Sequence, residues 1–121
     1  MVLDKPKVVQ LEDVKPQNVE NAVDTTIRVL ISGEEAPTYA MRVFEMGPRG
    51  YIPAHSHPWE HEIFVLEGKL RIKVENEVFE LEPNTAIYIP PNKVHEYWNI
   101  GGGRVRFICT IPNRPTAPLQ T

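Results

Sequence analysis

The chain has 121 residues, enough for one hydrophobic core and too few for two. Its 13 basic and 16 acidic side chains leave a net charge of −3 with both signs scattered, which excludes the basic stripe needed to grip a nucleic-acid backbone. A single cysteine, Cys109, excludes an internal disulfide framework. It fits a reducing interior, and with no apolar signal segment in MVLDKPKVVQ and no run near the roughly 20 apolar residues of a membrane span, a cytoplasmic protein without membrane contact is expected.

Residues 1–24 read as a polar, proline-punctuated arm. Its one apolar pair, Val8 and Val9, could pack on a neighbouring subunit. From residue 25 to 115 the pattern is that of a single barrel domain, and 116–121 read as a tail. TTIRVLIS alternates Ile27, Val29 and Ile31 against Arg28 and Leu30, and TYAMRVFEM follows after the turn signals Gly33 to Pro37. EIFVLEG is an apolar run suited to a strand buried on both faces. KLRIKVE and EVFELE form a hairpin turning near Asn76, and TAIYI, HEYWN and VRFICTI close the series. Twelve prolines, about twice ordinary usage, sit mostly at the ends of these runs, where they stop strands without costing ladder bonds. Many short strands and no sustained helical period predict an all-β sandwich or barrel.

Three of the four histidines crowd into GYIPAHSHPWEHEIFVLEG, residues 50–68. In an extended strand His55 and His57 point the same way, one period apart, so both imidazoles can reach one ion. Pro58 and Trp59 interrupt the strand, and His61 follows where a returning strand can present a third nitrogen. A helical reading of His57 and His61 lacks the glutamate of H-E-x-x-H and meets Pro58 instead.

Gly50-x4-His55-x-His57-x3-His61-x6-Gly68 resembles the first motif of the cupin superfamily, G-x5-H-x-H-x3,4-E-x6-G. The Gly-to-His interval is one residue shorter here, and His61 stands where the family usually has Glu. Asn84-x5-Pro90-x-Asn92-x2-His95-x3-Asn99 is similar to the second motif, G-x5-P-x-G-x2-H-x3-N, with asparagine at both glycine positions. Asparagine is the non-glycine residue that best tolerates the left-handed conformation, so the turns can survive. The stretch HSHPWEHEIFVLEGKL is especially similar to small single-domain manganese cupins with a four-histidine site.

The resemblance implies a jelly-roll (double-stranded β-helix) cupin barrel, a homodimer, and a divalent metal held by His55, His57, His61 and His95. Manganese is the ion it implies first, with Fe, Ni, Co, Cu and Zn as alternatives; imidazole donors suit most of these. Glu62 could replace His61 only through a one-residue slip, because strand alternation puts it on the opposite face. Glu60, Glu62 and Glu67 could also orient imidazole N–H groups from outside the ligand set. Cys109, Phe107 and Ile52 are expected to pack in the core and line the pocket beside the metal. Trp59 and Trp98 fit either a dimer interface or the rim of the mouth.

The function the resemblance favours is a Mn- or Fe-dependent oxidoreductase, a dioxygenase or oxidase acting on a small organic substrate. The alternatives are a non-redox isomerase or lyase and a non-catalytic binding or sensing module, since fold alone does not choose. Four neutral imidazoles would leave a divalent ion its full charge, so the expected substrate is anionic and occupies two open coordination positions.

Overall fold

In a computed structural model the described residues, 1–113, form a nearly closed antiparallel barrel of the jelly-roll kind. A single 3-10 turn, Leu11–Asp13, precedes strands β1 (Gln17–Asn18), β2 (Val23–Ile31), β3 (Tyr39–His55), β4 (His61–Glu67), β5 (Leu70–Val74), β6 (Glu77–Leu81), β7 (Ala86–Ile89), β8 (His95–Asn99) and β9 (Val105–Pro112). The strand order is β6-β5-β8-β3-β9-β4-β7, with β2 added beside β3 and β1 beside β2. The expected tail, 116–121, lies outside the described residues. Among the described residues no helix is long and apolar enough to cross a membrane.

Strand β3 holds the two layers together. Its first half pairs with β9 from Tyr39↔Pro112 to Met46↔Val105, and its second half crosses to β8 at Tyr51↔Trp98 and Ile52↔Tyr97. The chain bends between Gly47 and Gly50, and a Cβ on Gly50 would sit 2.6 Å from Cβ of Met46. Glycine removes that clash and lets one strand serve both sheets.

Alternation along the strands sorts the side chains. Ala40, Arg42, Phe44 and Met46 on β3, Ile63 and Val65 on β4, and Val105, Phe107, Cys109 and Ile111 on β9 all face inward and are buried. Phe107 stacks between Phe44, with centroids 5.1 Å apart, and Tyr97 at 5.8 Å. EIFVLEG departs from expectation. Only one of its faces is buried, because Phe64 and Leu66 point outward and are 39% and 38% exposed. An unbroken apolar run does not reveal that its second face meets solvent in a single chain.

The turns carry the conformations their residues allow. Gly68 has φ +84°, and a Cβ there would meet the carbonyl oxygen of Arg104 at 2.3 Å. Asn84 and Asn92 have φ 70° and 66°, so asparagine does adopt the left-handed turns in place of glycine. Asn99 Nδ2 donates to the carbonyls of Met46, Gly47 and Gly103, which ties the start of the β3 bend to the loop before β9.

The N-terminal arm lies on its own barrel. Arg28 donates to the carbonyl of Leu11 at 3.0 Å and pairs with Glu12 at 3.1 Å, and Arg106 bridges Glu12 and Glu45. Lys7 pairs with Glu35 at 2.8 Å. Val8 is exposed and Val9 half-buried.

Candidate metal centre

The four histidines arrive from three strand ends and one loop. His55 closes β3 directly opposite His95, which opens β8. His61 opens β4 opposite Ile89. Strand β3 stops at His55, so His57 lies in the following loop and not on the strand as its spacing predicts. That loop is pinned by Asn92 N–H donating to the carbonyl of His57 at 2.8 Å.

The rings converge. His95 lies 4.2 Å from His55, 4.9 Å from His61 and 5.1 Å from His57 between centroids, and His57 and His61 are 4.7 Å apart. One ligating atom each from His55, His57 and His95 fall within 4.8 Å of one another. His61 joins through its Nε2, 3.2 Å from Nε2 of His57. Two nitrogens bound to one first-row ion at about 2.1 Å sit roughly 3.0 Å apart at a right angle and about 3.4 Å apart at a tetrahedral one, so this separation fits neighbouring ligands.

Hydrogen bonds orient the donors. Nδ1 of His55 donates to the carbonyl of Pro53 at 2.7 Å, and Nδ1 of His95 to that of Lys93 at 2.8 Å. A carbonyl only accepts, so each ring keeps its lone pair on Nε2. Nε2 of His95 is buried without a hydrogen-bond partner among the described residues. Such an orphan is costly unless something occupies its lone pair, so the donor set fits a divalent cation.

Electrostatics match this reading. Burial first, and then the neighbouring His95, His57, Arg42 and His55, push the pKa of His61 from 6.5 down to about 2. Burial pushes that of His95 down to about 4, against the opposing bond to the Lys93 carbonyl. Both imidazoles are therefore neutral near pH 7, the form that binds metal.

The surrounding residues divide clearly. Ile52 is buried opposite Tyr97, and Phe107 lies beneath Tyr97. Cys109 Sγ lies 3.0 Å from Nδ1 of His61. Burial raises the thiol pKa of Cys109, with Arg42 opposing. Glu62 does not belong with this group: it is exposed on the outer face, in register with Tyr88 and Thr110, because alternation turns it away from His61. Trp59 is buried and stacks on His57 at 4.2 Å with an interplanar angle of 2°, which fixes that ring. Trp98 instead lies half-buried against Tyr51, 5.8 Å away.

Sequence reasoning missed Arg42. It is 1% exposed, donates from Nη2 to Cys109 Sγ and from Nε to the Cys109 carbonyl, both at 3.2 Å, and lies over Phe44 at 5.3 Å. The signal available was its place on the inward face with Ala40, Phe44 and Met46.

Two hollows open on the barrel. One of about 370 Å³ lies at the seam between β6 and β7, lined by Val74, Phe79, Ile87 and Lys93 among others. Val74 is in register with His95, so part of this lining shares the histidine's face. The other, of about 460 Å³, lies on the outer face beside Glu62, Phe64, Tyr88 and Ile108.

Residues 42–111 match the family described as Cupin domain. The structure of the polyketide cyclase RemF from Streptomyces resistomycificus superposes with a TM-score of 0.86 at 34% identity, over 93% of this chain and 83% of that one. "Polyketide synthase CurC" of Streptomyces cyaneus is 25% identical over 94% of this chain and 73% of its own length. A 1-methylthio-D-xylulose 5-phosphate methylsulfurylase of Rhodospirillum rubrum is 26% identical over 78% of this chain, and the match spans 62% of that enzyme.

Proposed function

The chain belongs to the cupin family, and on that premise we propose that it is a metal-dependent enzyme that folds a small 1,3-dicarbonyl substrate, a polyketide-like chain, onto itself without net oxidation. The observation that carries the proposal is the convergence of four imidazoles at one end of the barrel in a chain 34% identical to a polyketide cyclase. His55, His57, His61 and His95 are the proposed ligands. Manganese is the proposed ion, on the likeness of HSHPWEHEIFVLEGKL to manganese cupins; imidazole donors alone equally suit Fe, Co, Ni, Cu and Zn.

A divalent ion held by these four histidines would supply Lewis acidity. The chain's own residues do the rest. Imidazole ligands, unlike carboxylates, would leave a bound ion its full charge, which would favour an anionic, two-oxygen ligand. The carbon between two carbonyls is already acidic, which lessens the demand on a protein base. Val74, Phe79 and Ile87 offer apolar surface on the interior side for the remainder of the substrate.

An oxidase or dioxygenase is the second reading. A group of three imidazoles is also a donor set compatible with oxygen chemistry. The free thiol of Cys109, in contact with a ligand, counts against it because reactive oxygen would find an oxidisable neighbour. An anaerobic titration of the Mn(II)-loaded protein with acetylacetone, followed by magnetic resonance, tests the site: the spectrum should change at millimolar ligand or below. Oxygen consumption with the same ligand separates the readings. No spectral change would sink the chelate model, and stoichiometric oxygen uptake would favour the second reading.

We also propose a homodimer. Tyr88, Phe64, Ile108 and Met41 leave a partly exposed apolar band on the outer face of β7, β4, β9 and β3, which a second copy could cover. Light scattering at micromolar concentration should return twice the chain mass, and a monomer would remove the idea.

A further inference from the structure

His61 is held differently from His55 and His95. Those two present Nδ1 to carbonyl oxygens, which can only accept. His61 presents Nδ1 to a thiol, which can accept or donate, so its tautomer is not decided by that contact alone. Something further is needed to fix this ring.

The barrel supplies it through a second partner of the sulfur. Cys109 is in register with Arg42 on β3 and with Ile63 on β4, and all three are buried. Arg42 Nη2 donates to Sγ while its Nε donates to the carbonyl of the same cysteine, each at 3.2 Å. A planar guanidinium bonding two atoms of one residue restricts where the sulfur can sit. Burying that cation is expensive, and an apolar side chain of similar size would fill the space at less cost. The residue therefore calls for an explanation beyond packing.

We propose that Arg42 and Cys109 are a positioning pair for the metal site. In the loaded protein Sγ, held in place by Arg42, accepts the Nδ1 hydrogen of His61 and thereby keeps the lone pair of Nε2 directed at the ion. The sulfur does for His61 what the carbonyls of Pro53 and Lys93 do for His55 and His95. It is the softer acceptor, so His61 is the ligand of these three whose orientation depends most on a side chain. The inference rests on the reading of His61 as a ligand.

The test uses zinc, which is diamagnetic, in the full chain. Nitrogen-15 resonances of the zinc-loaded wild-type protein should show His61 bound through Nε2 with hydrogen on Nδ1. Zinc and manganese affinities of Cys109→Ala should fall roughly 10- to 100-fold, the usual cost of losing an acceptor behind a ligating imidazole. Cys109→Ser, whose hydroxyl can accept in the same place, should recover most of that loss. Arg42→Lys should weaken binding in the wild-type background and add nothing further to Cys109→Ala, because both act through the same ring. Failure of the wild-type protein to bind zinc at all would remove the metal reading itself. Zinc bound with no hydrogen on Nδ1 of His61, or a wild-type affinity in Cys109→Ala, would overturn the positioning pair and leave the metal reading standing. The wild-type spectrum requires no variant, so a Cys109→Ala protein that does not fold leaves the test intact.

Discussion

Replacing His95 by alanine should reduce the affinity for a divalent ion by two to three orders of magnitude. Structural zinc in small sites with four ligands is worth roughly 10 to 16 kcal/mol, so one ligand of four carries on the order of 3 kcal/mol. His95 is the most central of the four rings, within 5.1 Å of each of the others, and its buried Nε2 has no other partner among the described residues. The loss should therefore appear in metal content far more than in the fold. The metal-free variant should stay folded, because the deletion removes an orphaned polar atom along with a side chain's packing. Calorimetric titration of wild type and variant, each stripped with a chelator, measures the difference. Thermal unfolding gives a second reading, since an ion that binds only the native state raises the midpoint with the logarithm of its affinity. A His95→Ala protein that binds manganese with the wild-type constant would mean that the cluster is not the metal site.

Acid should destabilise the metal-free protein well before its carboxylates titrate. His61 and His95 have native pKa values of about 2 and about 4, against 6.5 when unfolded. Between these limits the unfolded chain binds protons that the native chain refuses, so unfolding free energy rises with pH and falls on acidification. The stability is fully present above pH 6.5. It is lost progressively below that, through pH 4 for His95 and further for His61. Each histidine contributes up to about 1.4 kcal/mol per pH unit below its unfolded pKa, so the two together remove roughly 4 kcal/mol between pH 7 and pH 5. That is a large share of the 5 to 15 kcal/mol typical of a whole domain. Urea midpoints of chelator-treated protein at the two pH values give the number, and equal midpoints would contradict the buried, neutral state of these rings. The loaded protein should resist longer and then release its ion between about pH 6 and pH 4 as protons compete for the ligands.

The strands and the histidine cluster were legible because each has a local signature. Ile27, Val29 and Ile31 announce β2 by alternation, and Asn84 and Asn92 could be read as left-handed turns because few other side chains tolerate that conformation. The outward faces were harder. Phe64 and Leu66 look like core residues in sequence, and only the pairing of β4 with β7 and β9 shows that they face away from it. Arg42 was obscured for the opposite reason: a charged residue reads as solvent-facing, and only its alternation with Ala40, Phe44 and Met46 hints that the wall of the barrel closes over it. The contact between Cys109 and His61, 48 positions apart, is a product of topology, as is the apolar hollow between β6 and β7. No spacing within either segment encodes them.

The path of β3 also bears on how the barrel assembles. Its first half must find partners roughly 60 to 70 positions away on β9, while its second half waits for β8, so neither sheet can be completed before the chain is nearly whole. Contacts this remote in sequence place the protein among slow-folding topologies, in the range of milliseconds to seconds. The hydrogen bonds of β3 should then break only with the whole domain, making its amides the last to exchange with solvent. The bend between Gly47 and Gly50 makes β3 a shared hinge post: a substitution that stiffens or shifts it would disturb both sheets at once, and with them His55 at its end.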